Sequence, residues 1–296
     1  MIGVFDSGFG GLTVLSALVD RLPAYDYLYL GDSARTPYGG RSHEAVYQFT
    51  REAVEFLFDA GCPLVILACN TASARALRTL QHRHLPVRRP DRRILGVVRP
   101  AAEALAGIPA DAVPGATSPV ADADAGTMTG AVAVLGTAGT IASDSYRLEL
   151  AKLAPRLGLV QQACPLWVPL VEAGELEGPG TEFFLHKYLD PVLAANPQPQ
   201  RILLACTHYP LLLPAIRRVV DQTSGGGAIQ ILEQGQIVAD RLATWMTRHP
   251  EMEPRLGRGG TRRYLTTDDP DWFAGRAAAL LGRPITAEAV RLPVVD

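Results

Sequence analysis

The chain is built from short apolar runs, each closing in a turn of small residues and followed by a helical pattern. IGVF at the N-terminus leads into DSGFGGL, with helical spacing from Leu12 to Leu22. YLYL (27–30) leads into GDSARTPYG, and Ser42 to Ala60 reads as a long amphipathic helix. PLVILAC (63–69) stops at Asn70, and a helical pattern resumes from Ala72 to His82. AVAVLG (131–136) passes through TAGTIAS into a helix that runs through Leu153, and RILLAC (201–206) passes through THYP into one near Leu211 to Val220. Runs that are apolar throughout belong to strands covered on both faces. Alternation with helices then predicts an α/β fold with parallel-rich sheets. Ligands in such folds bind beyond the carboxyl ends of the strands, and the unusual residues of this chain fall there.

Two pairs of segments echo one another. PLVILACNTASA (63–74) and RILLACTHYPLL (201–212) each carry a strand into Ala-Cys and then polar residues; VFDSGFGGL (4–12) and VLGTAGTIA (134–142) match more faintly. The members lie 137 and 130 positions apart, as expected of two halves of one plan. At 296 residues there is room for two cores. We expect two similar αβ domains related by a pseudo-twofold axis, one formed by 1–98 with 229–296 and the other by 99–228. Cys69 and Cys206 would then face one interdomain cleft from opposite sides.

That arrangement suits racemisation at an α-carbon, which removes a proton from one face and returns one to the other. A cysteine titrates near 8.5, roughly, and its surroundings can tune it. One thiolate acts as base while the opposing thiol acts as acid, with roles exchanged for the other enantiomer. Cys62 and Cys164 lack a polar sequel and read as packing residues.

Composition narrows the alternatives. A net charge of −2 gives no global attraction to nucleic acid or anionic membranes. No apolar run reaches 18 residues, and MIGVFDSG does not open like a signal peptide. A cytoplasmic location with four reduced cysteines follows as an expectation. No C-x-x-C or Cys/His pair has zinc spacing, so no metal site is expected. Seven arginines in 75–93 read as a solvated helix face and polar loop rather than a nucleic-acid patch. Residues 107–130, rich in Ala, Gly, Pro, Asp and Thr without a period, read as a long mobile surface loop.

DSGFGGLTVL (6–15), GDSARTPYG (31–39), ACNTASA (68–74), GTAGTIAS (136–143), CPLWVPLVEAGE (164–175) and ACTHYPLL (205–212) together resemble the glutamate racemase family, in its order. TTDDPDWFAGRAAALLG (266–282) is similar to its last segment. The resemblance implies a cofactor-independent isomerase that supplies D-glutamate for peptidoglycan, and so for cell-wall biogenesis and cell shape, and that works as a homodimer with glutamate as its small-molecule partner. Cys69 and Cys206 match the catalytic thiols, with Asp6 beside the first, His208 beside the second, and Glu172 an acidic helper on the Cys206 side. Ser7, Tyr38, Gly39, Asn70, Thr71 and Thr207 match the polar cradle for substrate, shared by Asp6 and His208, with Thr137 and Thr140 weaker contributors. Asp6-Ser7, Asn70-Thr71 and Thr207 are equally natural helix caps, a use compatible with ligand binding.

Three departures stand out: the insertion at 107–130, Arg99 where an uncharged or acidic residue is usual, and Glu-Gln-Gly (233–235) in place of an Asp-Ser pair. The competing readings are an aspartate or broad racemase, a non-catalytic amino-acid-binding protein, and a cysteine hydrolase pairing Cys206 with His208. Residues two apart in an extended segment diverge, which argues against that last pair, and it leaves Cys69 unused.

Overall fold

The computed structural model describes residues 1–112, 130–223 and 228–293, so most of the expected loop (113–129) lies outside the described residues. Among the described residues ten strands form two sheets. They are β1 (Ile2–Asp6), β2 (Tyr27–Gly31), β3 (Leu64–Leu67), β4 (Arg93–Gly96), β5 (Ala131–Gly136), β6 (Gly158–Ala163), β7 (Pro199–Ala205), β8 (Gln230–Leu232), β9 (Arg262–Thr266) and β10 (Glu288–Ala289).

The six-stranded sheet runs β10-β9-β2-β1-β3-β4 and the four-stranded sheet β6-β5-β7-β8, with every pairing parallel. The order β2-β1-β3-β4 recurs as β6-β5-β7-β8, so the faint echo in sequence is a repeat in topology. By that repeat β3 corresponds to β7, and Cys69 to Cys206. The repeat also places Gln230–Leu232 in the four-stranded sheet, as the counterpart of β4. β8 is the last strand of that sheet along the chain. A strand of three residues is too short to declare itself by pattern.

Side chains alternate between the faces of each strand, as the pleat requires. Ile2, Val4, Leu64 and Ile66 of the first sheet join Ala133, Leu135, Ile202 and Leu204 of the second in one core. Phe5, Val65 and Leu67 face a second cluster under the helix His43–Asp59, and Val132, Val134 and Leu203 a third under the helices Val98–Leu105 and Ser145–Leu153. The continuous central core ties the halves together. Ser42 caps its helix by accepting from the Ala45 N–H at 3.2 Å, a contact worth about 1 kcal/mol.

Two helical patterns break up. The segment expected as helix from 72 to 82 splits into Asn70–Arg75, Leu77–Thr79, a wide turn Leu80–His84 and Leu85–Arg88. Pro86 has no N–H to offer the carbonyl four residues back. Further on, Asp144 adopts φ 55° and separates Ala138–Ala142 from Ser145–Leu153. Arg99, one of the unusual residues, bonds Glu103 and Glu149 at 2.8 Å each, bridging Val98–Leu105 to Ser145–Leu153. The first residues of the expected loop are anchored: Arg241 donates to the carbonyls of Ile108 and Ala110, and Arg248 to those of Asp111 and Ala112.

Candidate active site

Strand register sets the site. β1 and β3 run level, with Phe5 opposite Leu67, so Asp6 and Cys69 emerge at the same carboxyl edge. In the second sheet Gly136 lies opposite Ala205, so Thr137 and Cys206 emerge together. The two edges meet.

Cys69 caps the helix Asn70–Arg75, its sulfur accepting from the Ala72 N–H at 3.5 Å while its S–H donates to Ser7 Oγ at 3.5 Å. Burial pushes its thiol up to about 12, reinforced by the nearby Asp6 charge and, more weakly, by Cys206, against the Ala72 and Ser7 contacts. Cys69 therefore rests as a thiol. Asp6 is fully buried, accepting from the Gly8 N–H at 3.1 Å and from the Thr207 hydroxyl at 3.3 Å. Burial raises its carboxyl; the His208 charge and these donors oppose that.

The second thiol is close to His208. Residues two apart do not diverge here, because β7 ends at Ala205 and His208 turns into the helical region, φ −82°, ψ −28°. His208 lies close enough to Cys206 to interact with it, and its Nε2 lies 2.6 Å from Glu172 Oε1. Burial alone would lower the imidazolium, but the Cys206 and Glu172 contacts outweigh it and push His208 up to about 10. Its Nδ1 is 3.5 Å from Thr207 Oγ1, so an unbroken polar path joins Glu172, His208, Thr207 and Asp6. Cys69 and Cys206 are both free, 5% and 7% exposed, and near enough to interact electrostatically.

The glycine-rich turn after β1 serves this approach rather than a phosphate. A Cβ on Gly10 would sit 2.7 Å from both Thr207 Oγ1 and His208 Nδ1. Gly39 is equally constrained: its Cβ would lie 2.7 Å from Thr137 Cβ, and its carbonyl accepts from the Gly139 N–H at 2.8 Å. Thr71, Thr137 and Thr140 form a hydroxyl triangle at 2.9, 3.1 and 3.3 Å that joins the two halves. Tyr38 is buried with its hydroxyl committed to Asp32, which also holds Arg35, so the phenol is a wall of the site.

Asn70 is held by partners that its motif does not show. Its amide exchanges hydrogen bonds with Gln234 in both directions and accepts from the Tyr146 hydroxyl. Gln234 was visible in sequence only as a departure, and Tyr146 gave no signal. Among the described residues no three His, Cys, Asp or Glu side chains gather as a metal would require. A cavity of about 930 Å³ opens between the helices Val98–Leu105 and Gln234–Arg248, lined by Ser73, Arg78 and Trp245 among others, but neither thiol borders it. The candidate site is the cluster at the strand ends, where both thiols emerge.

No protein-family model matches the chain. It is 41% identical over 289 residues to a glutamate racemase of Ruegeria pomeroyi, covering 97% of this chain and 99% of the relative. The glutamate racemase of Paracoccus denitrificans is 39% identical, with coverage of 97% and 99%. The chain belongs to the glutamate racemase family. Among solved structures, a glutamate racemase isoform from Bacillus anthracis superposes with a TM-score of 0.83 at 31% identity, covering 100% of this chain and 98% of that one. The Francisella tularensis glutamate racemase in complex with D-glutamate gives 0.79 at 26%, with coverage of 98% and 97%. Membership extends over the whole α/β repeat, including the strand ends that carry both thiols.

Proposed function

We propose that the protein interconverts L- and D-glutamate by proton transfer between Cys69 and Cys206, without pyridoxal phosphate or metal, and supplies D-glutamate for peptidoglycan. The observation that carries this is the pair of thiols at equivalent strand ends, each beside its own acid/base group: Asp6 next to Cys69, and His208 next to Cys206.

For one enantiomer Cys206, as thiolate, takes the α-proton while the Cys69 thiol delivers its own to the opposite face. Before the transfer His208, held as a cation by Glu172, pairs with the Cys206 thiolate, and Asp6 adjoins the Cys69 thiol; afterwards Cys206 holds the proton and Cys69 is the thiolate. In the reverse direction the roles swap. The α-hydrogen of an amino acid is weakly acidic, so donors fixed around the carboxylate must stabilise the planar carbanion. Asn70, Thr71 and Thr207 take that role, with Ser7, Gly39 and Thr140 completing the cradle. Residence in the cytoplasm and assembly as a homodimer complete the proposal and rest on the family resemblance; no helix among the described residues is long and apolar enough to cross a membrane.

Circular dichroism of L-glutamate with purified protein and no added cofactor tests this. The signal decays to zero as the enantiomers equalise, with aspartate and glutamine turned over far more slowly. An unchanged signal would remove the activity, and equal turnover of aspartate would make the enzyme a broad racemase.

A further inference from the structure

Asn70, Gln234 and Tyr146 form a closed polar triangle at the junction of the two halves, and all three are at least 97% buried. Asn70 Nδ2 donates to Gln234 Oε1; Gln234 Nε2 donates to Asn70 Oδ1 at 3.0 Å and to the Tyr146 oxygen at 2.8 Å; the Tyr146 hydroxyl donates to Asn70 Oδ1 at 2.7 Å. The three corners come from the residue after Cys69, the helix Gln234–Arg248 and the helix Ser145–Leu153. Tyr146 also lies close enough to Cys206 to feel its charge, so the triangle touches the surroundings of both thiols.

A carboxamide has two N–H donors and room for two accepted bonds at its oxygen. In Asn70 the oxygen is filled by Tyr146 and Gln234, and one N–H is filled by Gln234. One N–H remains. An amide so held cannot flip alone: unless Gln234 flips with it and the Tyr146 hydroxyl reverses, donor meets donor in a buried site, and each such mismatch costs about 1–3 kcal/mol.

We propose that Gln234, assisted by Tyr146, is a positioning residue that holds the Asn70 amide in place in the substrate cradle next to Cys69. The inference rests on the racemase reading. It gives a purpose to Gln234, where the sequence departs from its family. A shorter hydroxyl side chain at this position could not return both bonds of an amide.

The test is a set of variants with full kinetics in both directions: Asn70→Ala, Gln234→Leu, Tyr146→Phe and the double variant Asn70→Ala/Gln234→Leu. We expect Gln234→Leu to lower kcat/KM about tenfold, the equivalent of one buried hydrogen bond, mainly by raising KM for both enantiomers. Tyr146→Phe, which keeps the packing shape, should lower it by a smaller factor. The double variant should be no worse than Asn70→Ala alone, because Gln234 acts only through Asn70. A wild type that leaves L-glutamate unchanged would overturn the proposed function and this inference with it. An active wild type whose single losses multiply in the double variant, or a Gln234→Leu enzyme with unaltered KM, would overturn this inference alone.

Discussion

His208 Nε2 lies 2.6 Å from Glu172 Oε1, joining residues 36 positions apart at the edge of the second thiol. The carboxylate is partly exposed and the imidazole almost wholly buried, so the pair is open to solvent on one side only. Together with Cys206 it keeps His208 cationic up to about 10, against the pull of burial.

Removing that charge should move the alkaline limb of activity. In Glu172→Gln burial faces less opposition, so the imidazolium loses its proton at lower pH. The fall of kcat/KM with rising pH should begin earlier than in the wild type. Stability follows the same sign. His208 titrates higher when folded than its ordinary 6.5, so its contribution is full below 6.5 and lost as pH rises through about 10. The wild-type advantage over Glu172→Gln in thermal melts should therefore shrink across that window. Superimposable pH profiles would show that Glu172 does not control His208.

Gly10 tests the packing of the two halves without removing a titratable group. An alanine methyl there would collide with Thr207 and His208. Displacing such groups by an ångström or so costs on the order of 100-fold in rate, and overpacking costs about 1–3 kcal/mol in stability. Gly10→Ala should therefore fold, melt lower, and racemise about 100-fold more slowly. Unchanged kinetics would mean that the contact is slack in solution.

Cys62 is the control for thiol chemistry. It is buried beneath β1 and β3 in the second cluster, and burial pushes its thiol up to about 11. Cys62→Ala should cost about 1 kcal/mol in stability and leave kcat/KM within about twofold of wild type. A large kinetic loss with an intact fold would require a third functional thiol.

These expectations show what the chain discloses before it folds. β1, β3, β5 and β7 were legible because strands covered on both faces are apolar at every position, and the cysteines stood out because polar residues follow them. β8 was not, since Gln230–Leu232 is too brief to carry a pattern. The approach of His208 to Cys206 came only from the family resemblance, because it depends on where β7 stops and the turn begins. The Asn70–Gln234 pair spans 164 positions, and no local rule links an amide to a partner that distant. Pairing, not composition, assigns so short a strand to its sheet.

The most direct test of the two-thiol account compares Cys69→Ser with Cys206→Ser on both enantiomers of a glutamate analogue carrying a β-leaving group. Each variant should lose racemisation by on the order of 10²–10⁴-fold, the usual share of a general acid or base. Elimination needs only one α-proton removal, so each should still eliminate from the single enantiomer whose α-hydrogen faces its surviving thiol. The family resemblance gives D-glutamate to Cys69 and L-glutamate to Cys206, so Cys206→Ser should eliminate from the D analogue and Cys69→Ser from the L analogue. Opposite preferences in the two variants are the predicted result. Near-normal racemisation by either variant, or one shared preference, would contradict the account.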